Sequence, residues 1–277
     1  MIRNGYNALW KPTVGVQIDR TNPAVRGLRA LWLCNENTGN MLYDIFGSYH
    51  FALTGGVSRL AEPQGPDVKF DGLSGQGIAS GHPLSGLTEF TVILRLRQKN
   101  GLSSPYGPYL GSEQGFTSGV NINSNNPSVF DFKVGTSTLA VAVVNDAWGV
   151  YALQWSNATG IMRSYTNGLL SGNLGGVNAV IPTYMNTYIG KASAPQSSYL
   201  TDSQISSMKV YDRFLTSTDI ISDYSMPYSM FTARGVRRLY EPVPPPSLGG
   251  KLQPVMSMNS GGVNTRIVNT SFPTGGG

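Results

Sequence analysis

Apolar and polar residues alternate with a period of two through the middle of this chain. In Phe90-Thr91-Val92-Ile93-Leu94-Arg95-Leu96-Arg97, residues Phe90, Val92, Leu94 and Leu96 share one face, with Thr91, Arg95 and Arg97 on the other. A half-buried strand carries this pattern because successive side chains point to opposite sides of the backbone. Phe130, Phe132 and Val134 alternate with Asp131 and Lys133, and Gly135-Thr136-Ser137 turns the chain into Leu139, Val141 and Val143. Tyr151, Leu153 and Trp155 share a face of the next strand. Ile161 to Thr166 then runs into Asn167-Gly168 and Leu169-Leu170. Asn-Gly suits a type I′ turn, whose two central residues both need positive φ, so a hairpin is predicted there. Further strands are predicted around Leu28–Leu33, Val68–Phe70, Tyr188–Ile189 and Met208–Tyr211. One helix is signalled, by the capping-box pattern Thr216-Ser217-Thr218-Asp219 ahead of Ile220-Ile221. Many short strands, regular turns and no long helical period predict an all-β sandwich or barrel.

The ends read differently. Residues 1–27 contain Lys11-Pro12-Thr13 and Thr21-Asn22-Pro23 and are expected to be an extended N-terminal arm. The sandwich is assigned to 28–222. Residues 223–277 hold Met226-Pro227, Pro242-Val243-Pro244-Pro245-Pro246 and three glycine clusters, so a Pro/Gly-rich C-terminal arm without its own core is expected.

Composition sharpens this picture. Charged residues are only 13% of the 277, while Gly (34) and Pro (17) are plentiful, which suits a protein packed against neighbours and equally a stable monomer with many turns. The net charge is +5, and from Tyr224 onward five basic residues stand against Glu241 alone, placing +4 in the C-terminal segment. A basic tail on a nearly neutral domain is not the broad basic face of a nucleic-acid-binding protein, so no nucleic-acid partner is expected. No apolar run is long enough to cross a bilayer, and the N-terminus lacks the pattern of a secretory signal. Synthesis in the cytoplasm without membrane insertion is the expectation. Cys34 is the single cysteine and His50 and His82 the two histidines, so no disulfide, Cys-based zinc site or histidine-rich metal centre is expected.

Residues 28–222 resemble the concanavalin A-like or laminin-G-like domains through motifs in matching order. Leu31-Trp32-Leu33-Cys34-Asn35-Glu36-Asn37-Thr38-Gly39 is similar to the family's opening strand and turn, and Asp44 with Gly47-Ser48-Tyr49-His50 to its aspartate and polar loop. Phe70-Asp71-Gly72 and Phe90–Arg97 match its next two motifs. Trp148–Gly172 is similar to its Trp to Asn-Gly hairpin, and Tyr188-Ile189-Gly190 and Ile205–Ile220 to its closing strands. Ser206-Ser207 stands where the family usually has acidic residues and Leu96 where Trp is common. The flanks resemble those of such domains encoded by tailed bacteriophages. Trp10-Lys11-Pro12 through Asp19 and Arg26-Gly27-Leu28 resemble their openings, and Tyr224 to Phe231 with Arg234-Gly235-Val236-Arg237-Arg238 their endings.

This resemblance implies an all-β, two-sheet antiparallel jelly-roll sandwich and a non-enzymatic virion structural protein, displayed on the particle surface as a head decoration or accessory protein. Its partners would be capsid or other virion proteins and further copies of itself, a trimer being one arrangement. Phe231, Arg234, Arg237, Arg238 and Tyr240 form an Arg-aromatic cluster of the composition found at assembly interfaces. The alternative is a tail or baseplate adhesin binding host-surface glycan. Aromatic and amide side chains on loops suit sugar rings, and Tyr106, Tyr109, Asn123, Asn125 and Tyr199 supply them. A glycan hydrolase is the remote alternative: Glu36, Glu62, Glu89, Glu113 and Glu241 each stand alone, without the paired carboxylates that reaction needs. His50 and His82 read as exposed loop histidines, so no catalytic residue is expected. No cofactor is expected either, calcium at Asp44, Asp67, Asp71 or Asp202 being the exception considered, since that ion takes oxygen ligands.

Overall fold

Each alternating segment needs a second apolar surface to cover its buried face, and the chain supplies one by folding two sheets against each other. The structure is a computed structural model and describes residues 10–12, 17–99, 107–112, 119–126, 128–184, 186–191 and 201–232. In chain order the strands begin with β1 (Gln17–Ile18), β2 (Leu28–Trp32), β3 (Met41–Leu42), β4 (Phe51–Thr54), β5 (Val57–Leu60) and β6 (Asp67–Asp71). Next come β7 (Gln76–Ser80), β8 (Glu89–Gln98), β9 (Pro108–Ser112), β10 (Val120–Asn126), β11 (Val129–Val134) and β12 (Ser137–Ala142). The series closes with β13 (Trp148–Ser156), β14 (Ile161–Thr166), β15 (Leu169–Leu174), β16 (Asn186–Ile189), β17 (Asp202–Tyr211), α1 (Ser217–Ser225) and β18 (Phe231–Thr232).

The front sheet has the order β12-β11-β10-β9-β16-β7-β4-β3, and the back sheet β15-β14-β13-β8-β17-β6-β5. Strand β2 completes the back sheet, lying end to end with β6 along one edge of β17. The pairings are antiparallel, and neighbours such as β9-β16 or β8-β17 are far apart in sequence, as a jelly roll requires. The predicted all-β, two-sheet sandwich is therefore the observed fold.

The main core lies between the sheets. Phe90, Val92, Leu94 and Leu96 of β8 all face it, with Tyr151, Leu153 and Trp155 of β13 and Phe130 and Phe132 of β11. Aromatic edges meet faces across the gap, Phe90 on Phe132 (6.0 Å between ring centres, 79°) and Phe130 on Tyr151 (5.1 Å, 85°). The Asn167-Gly168 turn has φ of 51° and 83°, the conformation a type I′ hairpin needs. Asn167 also accepts the Val150 amide through its side chain (2.9 Å), fixing the hairpin to β13. The predicted capping box is present as well: Thr216 accepts from the Asp219 amide (3.1 Å) and Asp219 from the Thr216 amide (3.0 Å).

The folded unit does not stop at residue 222. A second core covers the outer face of the back sheet, built from Leu28, Leu31, Ile93, Ala152, Tyr165, Ile220, Tyr228, Met230 and Phe231 among others. Tyr228 and Met230 are fully buried, and Ile18 packs against the same cluster. Both flanks thus contribute residues to the domain, Lys11 and Ile18 from the N-terminal side and Tyr228, Met230 and Phe231 from the C-terminal side. The prolines and glycines after residue 222 suggest an arm, but Tyr228, Met230 and Phe231 among them pack into this second core.

Candidate functional site

Of the residues expected to bind sugar, the described ones are Tyr109, Asn123 and Asn125, and the first two are buried. Tyr109 is wholly buried on β9, where its hydroxyl donates to Gln98 Oε1 (2.6 Å) and its ring meets Phe130 edge to face. Burial pushes its phenol well above the ordinary value. A ring placed this way cannot stack on a ligand, which corrects its assignment as a loop aromatic. Asn121 to Asn126 belong to strand β10, where Asn123 is buried with neither amide atom partnered. Asn125 donates to Asp131 (3.0 Å). Tyr106 and Tyr199 lie outside the described residues, as do Arg234, Arg237, Arg238 and Tyr240 of the Arg-aromatic cluster. Phe231 does not belong to a free tail: it is 6% exposed, in the second core and paired with Ile18.

The carboxylates considered for calcium are already engaged or apart. Asp44 accepts four backbone amides, from Leu31, Phe46, Ser48 and Tyr49. Asp71 accepts those of Leu73, Ser74 and Gly75, which hold its pKa down at about 2 against the opposing effect of burial. Asp67 holds the Lys11 ammonium at 2.6 Å. Asp202, opposite Asp71 in register, is raised by burial. Among the described residues no three acidic, histidine or cysteine side chains form a cluster that could hold a metal ion.

The histidines are also not the exposed loop residues expected. His82 is 2% exposed, accepts the Leu84 amide through Nδ1 (3.1 Å) and lies 4.9 Å from the Tyr184 ring. Burial drives its pKa down to about 3, so it stays neutral. His50 accepts the Asp44 amide through Nδ1 (3.0 Å).

The most constructed polar feature lies in the layer over the back sheet, where the two flanks meet. Strand β1 pairs antiparallel with β18, Gln17 opposite Thr232 and Ile18 opposite Phe231. Two further bonds tie the same segments, the Asp19 amide to Met230 O (2.8 Å) and Asn22 Nδ2 to Ser229 O (2.9 Å). Beneath them Lys209 projects from β17, 1% exposed, and donates to the Asp223 carboxylate and to Pro227 O, the latter at 2.5 Å. Its ammonium also lies 5.9 Å from the Tyr228 ring centre. Burial raises the Asp223 pKa, with Lys209 opposing the shift.

Thr91 fixes the crossing chain. Its hydroxyl donates to Arg213 O (2.8 Å) and accepts from the Leu215 amide and Gln154 Nε2, both at 3.1 Å. Gln154 Nε2 also donates to Leu215 O (2.8 Å). Arg213 reaches Arg26 O (2.9 Å) and Asp219 (3.1 Å), joining the N-terminal flank to the helix. Lys209, Asp223 and Gln154 were not anticipated. The available signal was a lysine inside the apolar run Met208-Lys209-Val210-Tyr211, which demands a buried counter-charge if both faces of the strand are covered.

No protein-family model matches the chain, and no curated protein matches it. Solved structures match at the level of fold. A Trypanosoma rangeli sialidase in complex with sialic acid superposes with a TM-score of 0.58 at 14% identity, over 74% of this chain and 33% of the sialidase. The binding domain of botulinum neurotoxin DC in complex with SialylT gives 0.55 at 15% identity, over 73% of this chain and 52% of that one. The same binding domain with rat synaptotagmin II gives 0.55 at 15%, covering 72% and 51%. The chain therefore spans a third to a half of the solved structures it matches. The shared part is a β-sandwich.

Proposed function

We propose that this chain is a non-catalytic display module of a tailed-bacteriophage particle, a head decoration or accessory protein held by its flanks with the sandwich facing outward. One observation carries the reading: the flanks are tied side by side at the β1–β18 ribbon, so the chain beyond Thr232 starts beside Gln17, on the back face. Anchoring through that region leaves the front sheet and both sandwich edges clear of the particle.

Three features support the reading. The flanks resemble those of phage-encoded domains of this fold. The C-terminal segment carries most of the net positive charge, and its arginines with Tyr240 suit a protein interface. The low charge overall suits a chain that lives against neighbours. Its partners are capsid or other virion proteins and further copies of itself, around the threefold axis if the copies form a trimer.

Cross-linking mass spectrometry on purified particles tests this. Links from Lys251 to another virion protein are expected, with links from Lys133 on the front sheet absent or confined to the same chain. Particles lacking this chain altogether would overturn the proposal. The tail or baseplate adhesin is the second reading, and the groove described next supplies its supporting observation.

A further inference from the structure

A groove of about 230 Å³ opens on the back sheet beside the layer built by the flanks. It is lined by the turn Glu62–Gln64, by the half-buried Trp148, and by Arg95, Ser206 and Asp67. The placement follows from the sheet. Arg95 points outward from β8 opposite Val150, and Trp148 is the first residue of β13, opposite Arg97. Between Ile205 and Ser207 the β17–β8 register shifts, so Ser206 is an inserted residue of the kind that re-aims a strand.

The turn is pinned from behind by Lys11. The Lys11 amide donates to Gln64 O (3.0 Å), and its ammonium to Pro66 O and Asp67. The groove is thus formed before any ligand arrives.

The Arg95 charge acts on the buried Asp223 and on Tyr228, but its hydrogen-bond donors are not taken up by them. Among the described residues the side chains of Arg95, Glu62, Gln64 and Trp148 make no hydrogen bond, whereas Asp67 is taken by Lys11. This set combines a donor fork, an acceptor carboxylate, an amide with both functions and an aromatic face. Arg95 and Glu62 cancel in charge, and so do Lys11 and Asp67. With its formal charges balanced, the groove has no net attraction for an anion or a cation. It matches an uncharged ring carrying hydroxyls on its rim and C–H groups on its face.

We infer that this groove binds one neutral pyranose unit of a glycan, its C–H face on Trp148 and its hydroxyls shared between Arg95 and Glu62. The aromatic ring supplies the apolar contact and the planar charged groups fix the orientation, the usual division of labour in a ligand pocket. The inference does not rest on flank anchoring and is tested on the free chain.

The test is saturation-transfer NMR on the full chain. The probes are the methyl glycosides of glucose, galactose, mannose, N-acetylglucosamine and N-acetylgalactosamine, with that of N-acetylneuraminic acid as the acidic counterpart. At least one neutral glycoside is expected to bind with a dissociation constant on the order of 1 mM, the range open to a ligand of this size. Arg95→Ala, Trp148→Ala and Glu62→Gln should each weaken it about tenfold or more, by the loss of one of the few contacts it has. If an alanine variant fails to fold, Arg95→Lys replaces it, since lysine keeps the charge and loses the fork, and Trp148→Leu keeps bulk and loses the ring. Silence from all five neutral probes, binding unaffected by these substitutions, or preference for the acidic glycoside would each overturn the inference.

Discussion

Ending the chain at Tyr224 or at Thr232 should give two very different proteins. The shorter form loses Tyr228 and Met230, both fully buried, and Phe231, buried in the second core. Fully burying one such side chain stabilises by about 1.5–3 kcal/mol, so the three together contribute roughly 5–9 kcal/mol. The extended-chain reference makes that an upper range. Truncation also removes Pro227 O from Lys209 and uncovers the buried Lys209–Asp223 pair. Against a total stability of about 5–15 kcal/mol, the loss approaches the whole. Urea unfolding followed by tryptophan fluorescence is the assay. With a slope of about 2 kcal/mol per molar, a loss of 5 kcal/mol lowers the midpoint by about 2.5 M. The form ending at Tyr224 should therefore be unfolded or nearly so in buffer, while the form ending at Thr232 keeps the full-length midpoint. Equal midpoints for the two truncations would refute the second core as a structural element.

Two further predictions concern buried ionisable groups. His82 has a folded pKa of about 3 against an unfolded value near 6.5. The unfolded state alone gains the proton between them, so the stability His82 confers is whole above pH 6.5 and falls on acidification. The slope is about 1.4 kcal/mol per pH unit. His82→Asn keeps an acceptor for the Leu84 amide and removes the titration. Wild-type stability relative to this variant should drop by about 2 kcal/mol from pH 6.5 to 5; a difference independent of pH would contradict the burial of His82. Lys209→Met leaves Asp223 buried without its cation and should cost about 3–5 kcal/mol, while adding Asp223→Leu to it should restore much of the loss. A double-mutant cycle in urea checks this, and additive losses would mean the two groups do not interact.

The strands whose alternation placed large apolar residues on one face were legible in the sequence, β8, β11 and β13 above all. So were the Asn167-Gly168 hairpin and the Thr216 cap, because each depends only on local conformational preference. Strand β10 was not. In Asn121-Ile122-Asn123-Ser124-Asn125-Asn126 a single isoleucine marks the inner face, and the asparagines read as a turn. Strands β4, β5 and β7, four or five residues each, form because neighbours already present a pairing edge, which a local pattern does not reveal.

The candidate site was less legible than the fold. The Lys209–Asp223 pair joins a strand to a helix, and the groove collects Glu62, Arg95 and Trp148 from three separate segments. Such meetings are set by topology. Tyr109 shows the opposite error: Pro and Gly beside it suggested a loop, but a hydroxyl satisfied by Gln98 lets a tyrosine serve as core.

The central claim is that the chain is anchored through its flanks. The most direct test is rebinding of purified protein to stripped, otherwise intact particles, full-length beside the form ending at Thr232, once that form is shown to be folded. Rebinding by the full-length protein alone is expected, because the segment after Thr232 supplies the anchor. Equal rebinding by both forms would contradict the claim and put the attachment surface on the sandwich itself.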